Sequence, residues 1–221
     1  MKNRAGHPGP CALLTGFAPF GGERINPSWE AARALAGRRI AGHRVVAVEL
    51  PCEFASAPRA LRAALRQHRP RVVIATGQAG GRDGISLERV AINLIDARIP
   101  DNAGAQPVDI PVSPRAPSAC FTGLPIKSAL LALQRAGLAA HVSQTAGTFV
   151  CNQVFYVLMR AVARTPGIRA GFVHVPWLPQ QAALHAGPGM PLADIVRALE
   201  IILRTSLKDG PDARLAAGAV A

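Results

Sequence analysis

Short apolar runs alternate with amphipathic helical patterns along most of the chain, and this alternation constrains the fold more than any other feature. The apolar runs are rich in Val and Ile without polar alternation, which is typical of strands covered on both faces. The predicted strands are Ala12–Phe17, Arg44–Leu50, Arg71–Thr76, Arg89–Leu94, His141–Ala146 and Gly171–Val175. The predicted helices are Pro27–Ala36, Ser56–His68, Thr122–Ala136, Asn152–Arg164 and Pro191–Thr205. This order predicts an α/β fold, a three-layer α/β/α sandwich around a mostly parallel, twisted sheet.

The length and composition are those of one folded domain. With 221 residues, of which 49% are hydrophobic and 17% charged, the chain can bury a sizeable core and is unlike a disordered segment. We expect a single domain over residues 1–221, with a core of about 11–206. Residues 1–9 and 208–221 mix charge with Gly, Pro and Ala, and we expect them to be flexible tails.

The charge balance is strongly basic, with 25 Lys and Arg against 13 Asp and Glu and a net charge of +12. Arginines supply nearly all of the positive charge. They are scattered along the chain rather than gathered beside an aromatic platform, so we expect no nucleic-acid binding. No apolar stretch is long enough to cross a bilayer, and we expect no membrane association.

Cysteine usage predicts a reducing compartment. The four cysteines form no C-x-x-C pair, and none has the Cys/His spacing of a zinc site, so we expect no metal ligands. The first residues are polar and broken by Gly and Pro, unlike a signal peptide. Free thiols in a cytoplasmic protein are therefore the expectation.

Cys151 is the best candidate for a reactive group. It follows the apolar run 148–150 and opens a helical pattern, which places its thiol at a helix N-terminus. Unpaired backbone N–H groups and the helix dipole favour a thiolate there and can also bind an oxyanion. The alternative is a small buried apolar side chain, the usual role of a cysteine. The other cysteines, Cys11, Cys52 and Cys120, have no comparable setting.

A cysteine nucleophile needs a base, and His174 near the end of a predicted strand is suited to that role. Glu88 lies among Ile, Leu and Val, and a buried carboxylate needs a partner. His174 would be that partner in a catalytic triad, whereas Arg89 would make a structural ion pair. Adjacent strand residues point to opposite faces, which favours His174. His174 can also be a hydrogen-bonded core residue, and Asp96 and Asp101 are alternative acids.

Two glycine-rich stretches, Thr15–Gly22 and Thr76–Gly84, each follow a predicted strand. Neither contains the spacing of a P-loop or of a dinucleotide-binding motif, so nucleotide binding is not indicated. They are either ordinary turns or loops that let the backbone approach a small ligand closely. Phe17 and Phe20 flank a proline in the first stretch and predict the walls of a small apolar pocket.

Several segments together resemble the pyroglutamyl peptidase I (pyrrolidone-carboxylate peptidase) family of cysteine peptidases. They are LLTGFAPFGGERINPSWEAA, ATGQAGGRDGISLERVAINLIDARIPDNAG, TGLPIKSAL, VSQTAGTFVCNQVFYVLM and GFVHVPWLPQQ. So many segments in one order are far more specific than a single glycine motif. The family's acid, nucleophile and histidine lie in the ER, FVCN and HxP segments, which here contain Glu88, Cys151 and His174.

The resemblance implies an enzyme that hydrolyses the bond after an N-terminal pyroglutamate of peptides through a thioester acyl-enzyme. It implies no metal or organic cofactor and assembly as a homotetramer. It also implies that the first loop and the GQAGG loop hold the pyrrolidone ring. The substrate-binding residues implied by position are Phe17, Phe20, Asn26, Gln78, Arg98, Ile99 and Val150.

Three other functions fit parts of the sequence. Nucleoside phosphorylases share this kind of layering, so an enzyme of that class is one alternative. The basic charge leaves a nucleic-acid-binding protein as a second, which predicts steeply salt-dependent binding. A catalytically silent relative is the third, and the complete set of Glu88, Cys151 and His174 argues against it.

Overall fold

Strands form the centre of the computed structural model, which describes residues 9–218. They are β1 (Cys11–Phe17), β2 (Arg39–Ile40), β3 (His43–Leu50), β4 (Val72–Gln78), β5 (Ile85–Glu88), β6 (Val90–Ile92), β7 (Ala119–Phe121), β8 (Ala140–Ser143) and β9 (Arg169–Val175). The helices are α1 (Pro27–Leu35), α2 (Ala57–His68), α3 (Ile126–Arg135), α4 (Val150–Val162), α5 (Pro179–Leu184) and α6 (Leu192–Ser206). The predicted helices and most predicted strands are confirmed, with differences of a few residues at their ends.

The main sheet has seven strands in the order β2-β3-β1-β4-β9-β5-β8. Strands β3, β1, β4 and β9 run parallel to one another, and β5 pairs parallel with β8. The two groups meet where β5 runs antiparallel to β9, and the edge strand β2 is antiparallel to β3. The sheet is therefore mostly parallel, as predicted.

Helices cover both faces of this sheet and give the predicted three layers. Buried residues of α1, α3 and α6 pack on one face, with Leu14, Ile74 and Val173 of the sheet. Buried residues of α2 and α4 pack on the other face, with Leu13, Val73 and Phe172. The α/β/α sandwich predicted from the alternating pattern is confirmed.

The predicted strand Arg89–Leu94 is wrong in its position. The strand that enters the main sheet is β5, and it ends at Glu88. Both faces of β5 are covered, since each of its residues is buried. The following strand β6 leaves the sheet and pairs with β7 in a separate hairpin. Glu88 therefore lies at the end of a strand that has a neighbour on each side, and not just before a strand, as predicted.

The chain after α6 has no helix or strand, but it is fastened to the core, unlike the flexible tail expected from residue 208. The carboxylate of Asp212 accepts hydrogen bonds from the backbone N–H groups of Lys127 (3.0 Å) and Ser128 (2.8 Å) in the first turn of α3. Helix α3 starts after Pro125, which provides no side-chain cap. Asp212 therefore supplies the acceptor that the start of this helix lacks.

Further contacts hold the same segment along its length. The guanidinium of Arg169 donates to the main-chain oxygens of Lys208 and Gly210, and that of Arg89 donates to the oxygen of Ala217. Residues 1–8 and 219–221, which complete the expected tails, lie outside the described residues.

Candidate active site

Two side chains of the predicted triad, those of Glu88 and His174, project from one face of the sheet where β4, β9 and β5 lie side by side. His174 on β9 is opposite Gly77 on β4 and opposite Ser86 on β5. Residues that are directly opposite share a face, and so do residues two apart on one strand. Glu88, two residues after Ser86, therefore points to the same side as His174. This is the face that α2 and α4 cover.

Glu88 and His174 form a direct contact at this position. The Nδ1 atom of His174 lies 2.7 Å from Oε1 of Glu88, and the exposure of the two residues is 4% and 0%. An ionised carboxylate can only accept, so Nδ1 carries the proton and Nε2 is left as the basic nitrogen. The predicted contact between this acid and this histidine is present. The rival partner, Arg89, is directed to Ala217 instead.

Arg82, in the loop between β4 and β5, is a second partner of Glu88 that the sequence did not indicate. One terminal nitrogen of its guanidinium lies 2.7 Å from the same Oε1 atom, and the other donates to the main-chain oxygen of Thr145 at 3.2 Å. Burial alone would raise the pKa of Glu88, but the hydrogen bond and charge of His174, the hydroxyl of Ser143 and the charge of Arg82 together hold it below its usual value. Glu88 is therefore ionised at neutral pH.

Cys151 is the second residue of α4, and its sulfur lies over the same face of the sheet. A Cβ atom placed on Gly77 would be only 2.7 Å from this sulfur and 2.9 Å from the ring of Phe172. Since Gly77 is the strand neighbour of His174, the thiol sits above the strand next to the imidazole. Helix α4 begins after Phe149 without a side-chain cap, which leaves backbone N–H groups near the thiol.

The protonation state of Cys151 differs from the sequence expectation. A helix N-terminus favours a thiolate, yet the pKa of the Cys151 thiol is raised well above its ordinary value. Burial is the main cause, the nearby Cys52 and Glu88 add to it, and Arg82 offsets only part. Although Cys151 as a residue is only half-buried, the loss of hydration at its sulfur outweighs the helix dipole, and the expectation of an ionised sulfur is contradicted.

An aromatic cluster borders the start of α4. Phe20 from the first glycine-rich loop lies 6.2 Å from Phe149 between ring centres, and Phe54 meets Phe149 edge to face at 5.1 Å. Phe20 is half-buried, whereas Phe17 is 1% exposed and belongs to the core at the end of β1. The sequence indicated Phe20 but missed Phe54 and Phe149, because their segments contain no motif that associates them with the first loop.

The predicted polar residues of the pocket hold the two glycine-rich loops. Asn26 is 1% exposed and caps α1, accepting from the N–H of Ser28, and its amide donates to the oxygen of Ala18. Gln78 at the end of β4 is half-buried, and its side-chain oxygen accepts from the amide of Gln181 at 3.3 Å. Gln181, which lies in α5, is thereby joined to the second glycine-rich stretch, which contains Gln78.

The remaining predicted residues lie in two places. Val150 is 1% exposed at the first position of α4, directly before Cys151. Arg98 is exposed and Ile99 half-buried, in the segment after β6. Reciprocal hydrogen bonds between Asp96 and Thr148 fasten that segment beside the start of α4. Each of these residues therefore belongs to a segment that borders the N-terminus of α4.

The structure also bears on metal binding, membrane-spanning segments, the state of the cysteines and the alternative acids. Over residues 9–218, no group of three or more His, Cys, Asp or Glu is arranged to hold a metal ion. No helix in this range has the length and apolarity that a membrane-spanning segment needs. The four cysteines are free thiols, and burial raises the pKa of Cys52 to about 12. Asp101, one of the alternative acids, accepts from the N–H groups of its own loop instead.

The chain is similar to known proteins over most of its length. A family described as pyroglutamyl peptidase matches residues 11–209. A pyrrolidone-carboxylate peptidase of Klebsiella pneumoniae is 53% identical over 94% of this chain and 97% of its own length. The crystal structure of pyroglutamyl peptidase I from Bacillus amyloliquefaciens superposes with a TM-score of 0.90 at 46% identity, covering 92% of this chain and all of that one. A mutant pyrrolidone carboxyl peptidase from Pyrococcus furiosus superposes with a TM-score of 0.86 at 38% identity, covering 89% and 97%. The chain therefore belongs to the pyroglutamyl peptidases, cysteine hydrolases that remove an N-terminal pyroglutamate from peptides.

Proposed function

We propose that Cys151 is the nucleophile of this peptidase, His174 its general base and Glu88 the acid that orients the imidazole. The observation that carries the proposal is the Glu88–His174 hydrogen bond of 2.7 Å on the sheet face over which the sulfur of Cys151 lies. The proton on Nδ1 is held by the carboxylate, so the imidazole presents a basic Nε2.

The reaction begins with a neutral thiol, because burial disfavours the free thiolate of Cys151. His174 accepts the thiol proton as the sulfur attacks the carbonyl carbon that joins pyroglutamate to the next residue. The carbonyl oxygen becomes an oxyanion, which the N–H of Cys151 at the start of α4 stabilises. Arg98, which is exposed in the segment beside that helix, adds positive charge in this proposal.

The tetrahedral intermediate collapses when the C–N bond breaks. His174 gives the proton it holds to the departing amine, and pyroglutamate remains bound to Cys151 as a thioester. His174 then takes a proton from water, which attacks the thioester carbon, and returns it to the sulfur as free pyroglutamate leaves. Glu88 holds the imidazole in one orientation throughout and stabilises its charged form.

We propose that the pyrrolidone ring binds beside the thiol, where the surrounding residues suit a neutral, compact ring. Phe20, Phe54 and Phe149 form an apolar wall at the start of α4, and Phe17 and Val150 support it from the core. Asn26, Gln78 and Ile99 lie in the segments that complete the pocket. A free N-terminus carries a positive charge that such a site does not solvate, whereas a lactam is neutral. The pocket would therefore select pyroglutamate over proline.

The function is tested by release of a chromogenic amine from its pyroglutamyl conjugate, with the prolyl conjugate as the control substrate. We expect release from the first and not from the second, and inactivation by iodoacetamide. Cys151→Ser should lower kcat at least about 1,000-fold with an unchanged unfolding temperature, because the hydroxyl is a far weaker nucleophile in this setting. Near-normal turnover by Cys151→Ser would refute the assignment, and phosphate-dependent release of base from a nucleoside would favour the phosphorylase alternative.

We also propose that the chain acts on peptides in the cytoplasm as a homotetramer. Its free cysteines suit a reducing compartment.

The proposed tetramer is supported by large apolar side chains on the surface, which suit a contact between subunits. They are Phe121 (70% exposed), Val108 (60%) and Ile110 (45%). Light scattering after gel filtration should give four times the mass of the chain, and a monomeric mass would contradict the proposal.

A further inference from the structure

One oxygen atom of the site is shared by two donors. Oε1 of Glu88 lies 2.7 Å from Nδ1 of His174 and 2.7 Å from the guanidinium of Arg82. The other oxygen, Oε2, is buried and has no hydrogen-bond partner among residues 9–218. The carboxylate therefore has a permanent cation on the same atom that orients the imidazole.

The groups around this carboxylate give the site a simple charge balance. From β9 comes His174 and from α4 comes Cys151, with the thiol of Cys52 near Cys151. On β8, the ring of His141 contacts the hydroxyl of Ser86 at 2.9 Å. Ser143, on the same strand, donates to the main-chain oxygen of Thr145, and its hydroxyl also helps to lower the pKa of Glu88.

Arg82 and Glu88 thus form an ion pair on one carboxylate oxygen, and their charges cancel. Without Arg82 the buried carboxylate would draw a proton onto the imidazole, since an unpaired buried charge is costly. With Arg82 in place that pull is reduced. Arg82 is fixed by its second contact, to Thr145, and its side chain is 26% exposed at the rim of the site.

We propose that Arg82 is a positioning residue that neutralises Glu88, so that the carboxylate orients the His174 imidazole without drawing an extra proton onto it before substrate binds. A neutral imidazole is free to accept the proton of the Cys151 thiol. The role rests on the proposed function of the triad, but its test does not require peptide turnover. Arg82 also offsets part of the rise that burial causes in the pKa of the Cys151 thiol.

The test is the pH dependence of two rates in Arg82→Gln: alkylation of Cys151 by iodoacetamide, and kcat/KM for the pyroglutamyl conjugate. Removal of a nearby positive charge favours the protonated imidazole and disfavours the thiolate, so the pKa of each group rises. We expect both limbs of the kcat/KM profile, and the alkylation profile, to move about 1 pH unit to higher pH. Arg89→Gln is the matched control, because this neighbour of Glu88 is directed to Ala217 and should leave the profiles in place.

Arg82→Lys separates charge from shape. Lysine keeps the positive charge but not the forked contact with Glu88 and Thr145, so we expect a lower rate with the profile near its original position. A fall in rate for Arg82→Gln without movement of either profile would overturn the proposal and leave Arg82 a purely structural clamp. Equal shifts in the Lys and Gln variants would overturn it as well. If the wild-type protein fails to release the amine, the proposed function falls, whereas the alkylation profiles still decide the role of Arg82.

Discussion

The absence of a side chain at Gly77 makes room for the sulfur of Cys151. A Cβ atom there would lie 2.7 Å from the sulfur and 2.9 Å from the ring of Phe172, both closer than real contacts allow. Because Gly77 is opposite His174, any shift of the sulfur at this point also changes its relation to the imidazole. The glycine therefore matters for the distance between the proposed nucleophile and the proposed base.

Gly77→Ala should lower kcat about 100-fold, since a displacement of about 1 Å at a reacting atom has an effect of that size. The extra methyl group should also lower the free energy of unfolding by about 1–3 kcal/mol. Steady-state kinetics and urea unfolding measure the two effects. Gly123→Ala is the control, because a Cβ atom there meets its nearest neighbour at an ordinary 3.4 Å. An unchanged kcat in Gly77→Ala would show that the sulfur has space to move.

Single residues of the site could be predicted from the sequence only where their chemistry is unusual for their position. Glu88 stood out as a carboxylate among apolar residues, and Cys151 as a thiol opening a helix. Arg82 did not stand out, because an arginine in a glycine-rich loop is ordinary and its contact depends on the loop's path. The pKa of Cys151 could not be predicted from the sequence either, since it depends on how completely the fold removes water from the sulfur.

At the scale of elements, one side chain joins helix α4, which carries the proposed nucleophile, to the β6–β7 hairpin. Asn152, the residue after Cys151, is 0% exposed. Its side chain accepts from the N–H of Ile92 and donates to the main-chain oxygens of Ile92 and Leu94. It thus provides hydrogen-bond partners for backbone groups in and just after β6 that no neighbouring strand pairs with. It also fixes the first turn of α4.

Asn152→Ala should lower the free energy of unfolding by about 3 kcal/mol, because it leaves several buried backbone groups without partners. Gln153→Met is the matched control, since the neighbouring Gln153 is also buried but its side-chain oxygen has no hydrogen-bond partner within residues 9–218. Urea unfolding of the two variants measures the difference. Equal losses of stability in both would contradict the role given to Asn152.

Element prediction failed at one informative place. The run from Arg89 reads as a strand because it is apolar, yet the main sheet takes the shorter β5 just before it, while β6 pairs with β7. The local sequence pattern does not show which of two adjacent apolar runs will pair in the main sheet. That pairing depends on β8 and β9, which lie far away in the chain. The helices were predicted more accurately, since their periodicity and caps are local, as with Asn26 before Pro27 in α1.

At the scale of the whole molecule, Asp212 links the end of the chain to α3 and makes this link sensitive to pH. Burial alone would raise the pKa of Asp212, but the N–H groups of Lys127 and Ser128 outweigh it and lower the pKa. A lowered pKa in the folded state gives stability that is complete above the unfolded value of about 3.9 and is lost as pH falls through the folded value.

Asp212→Ala should therefore cost about 1 kcal/mol at neutral pH, as does the loss of a helix cap. The difference between wild type and variant should shrink below about pH 3.9 and vanish once the aspartate is protonated in both states. Chemical denaturation at a series of pH values measures it. A difference that is constant across that range would show that the carboxylate charge contributes nothing.

The position of β5 between β9 and β8 also determines when the protein can become active during synthesis. Strand β5 has β9 on one side and β8 on the other, and both are translated after it. Glu88 therefore leaves the ribosome 86 residues ahead of His174, to which it is hydrogen-bonded in the folded protein. A nascent chain that ends after β5 can form β1, β3 and β4 of the sheet, but its Glu88 has no imidazole beside it. Peptidase activity must accordingly appear late, only after the strand bearing His174 has been made and inserted.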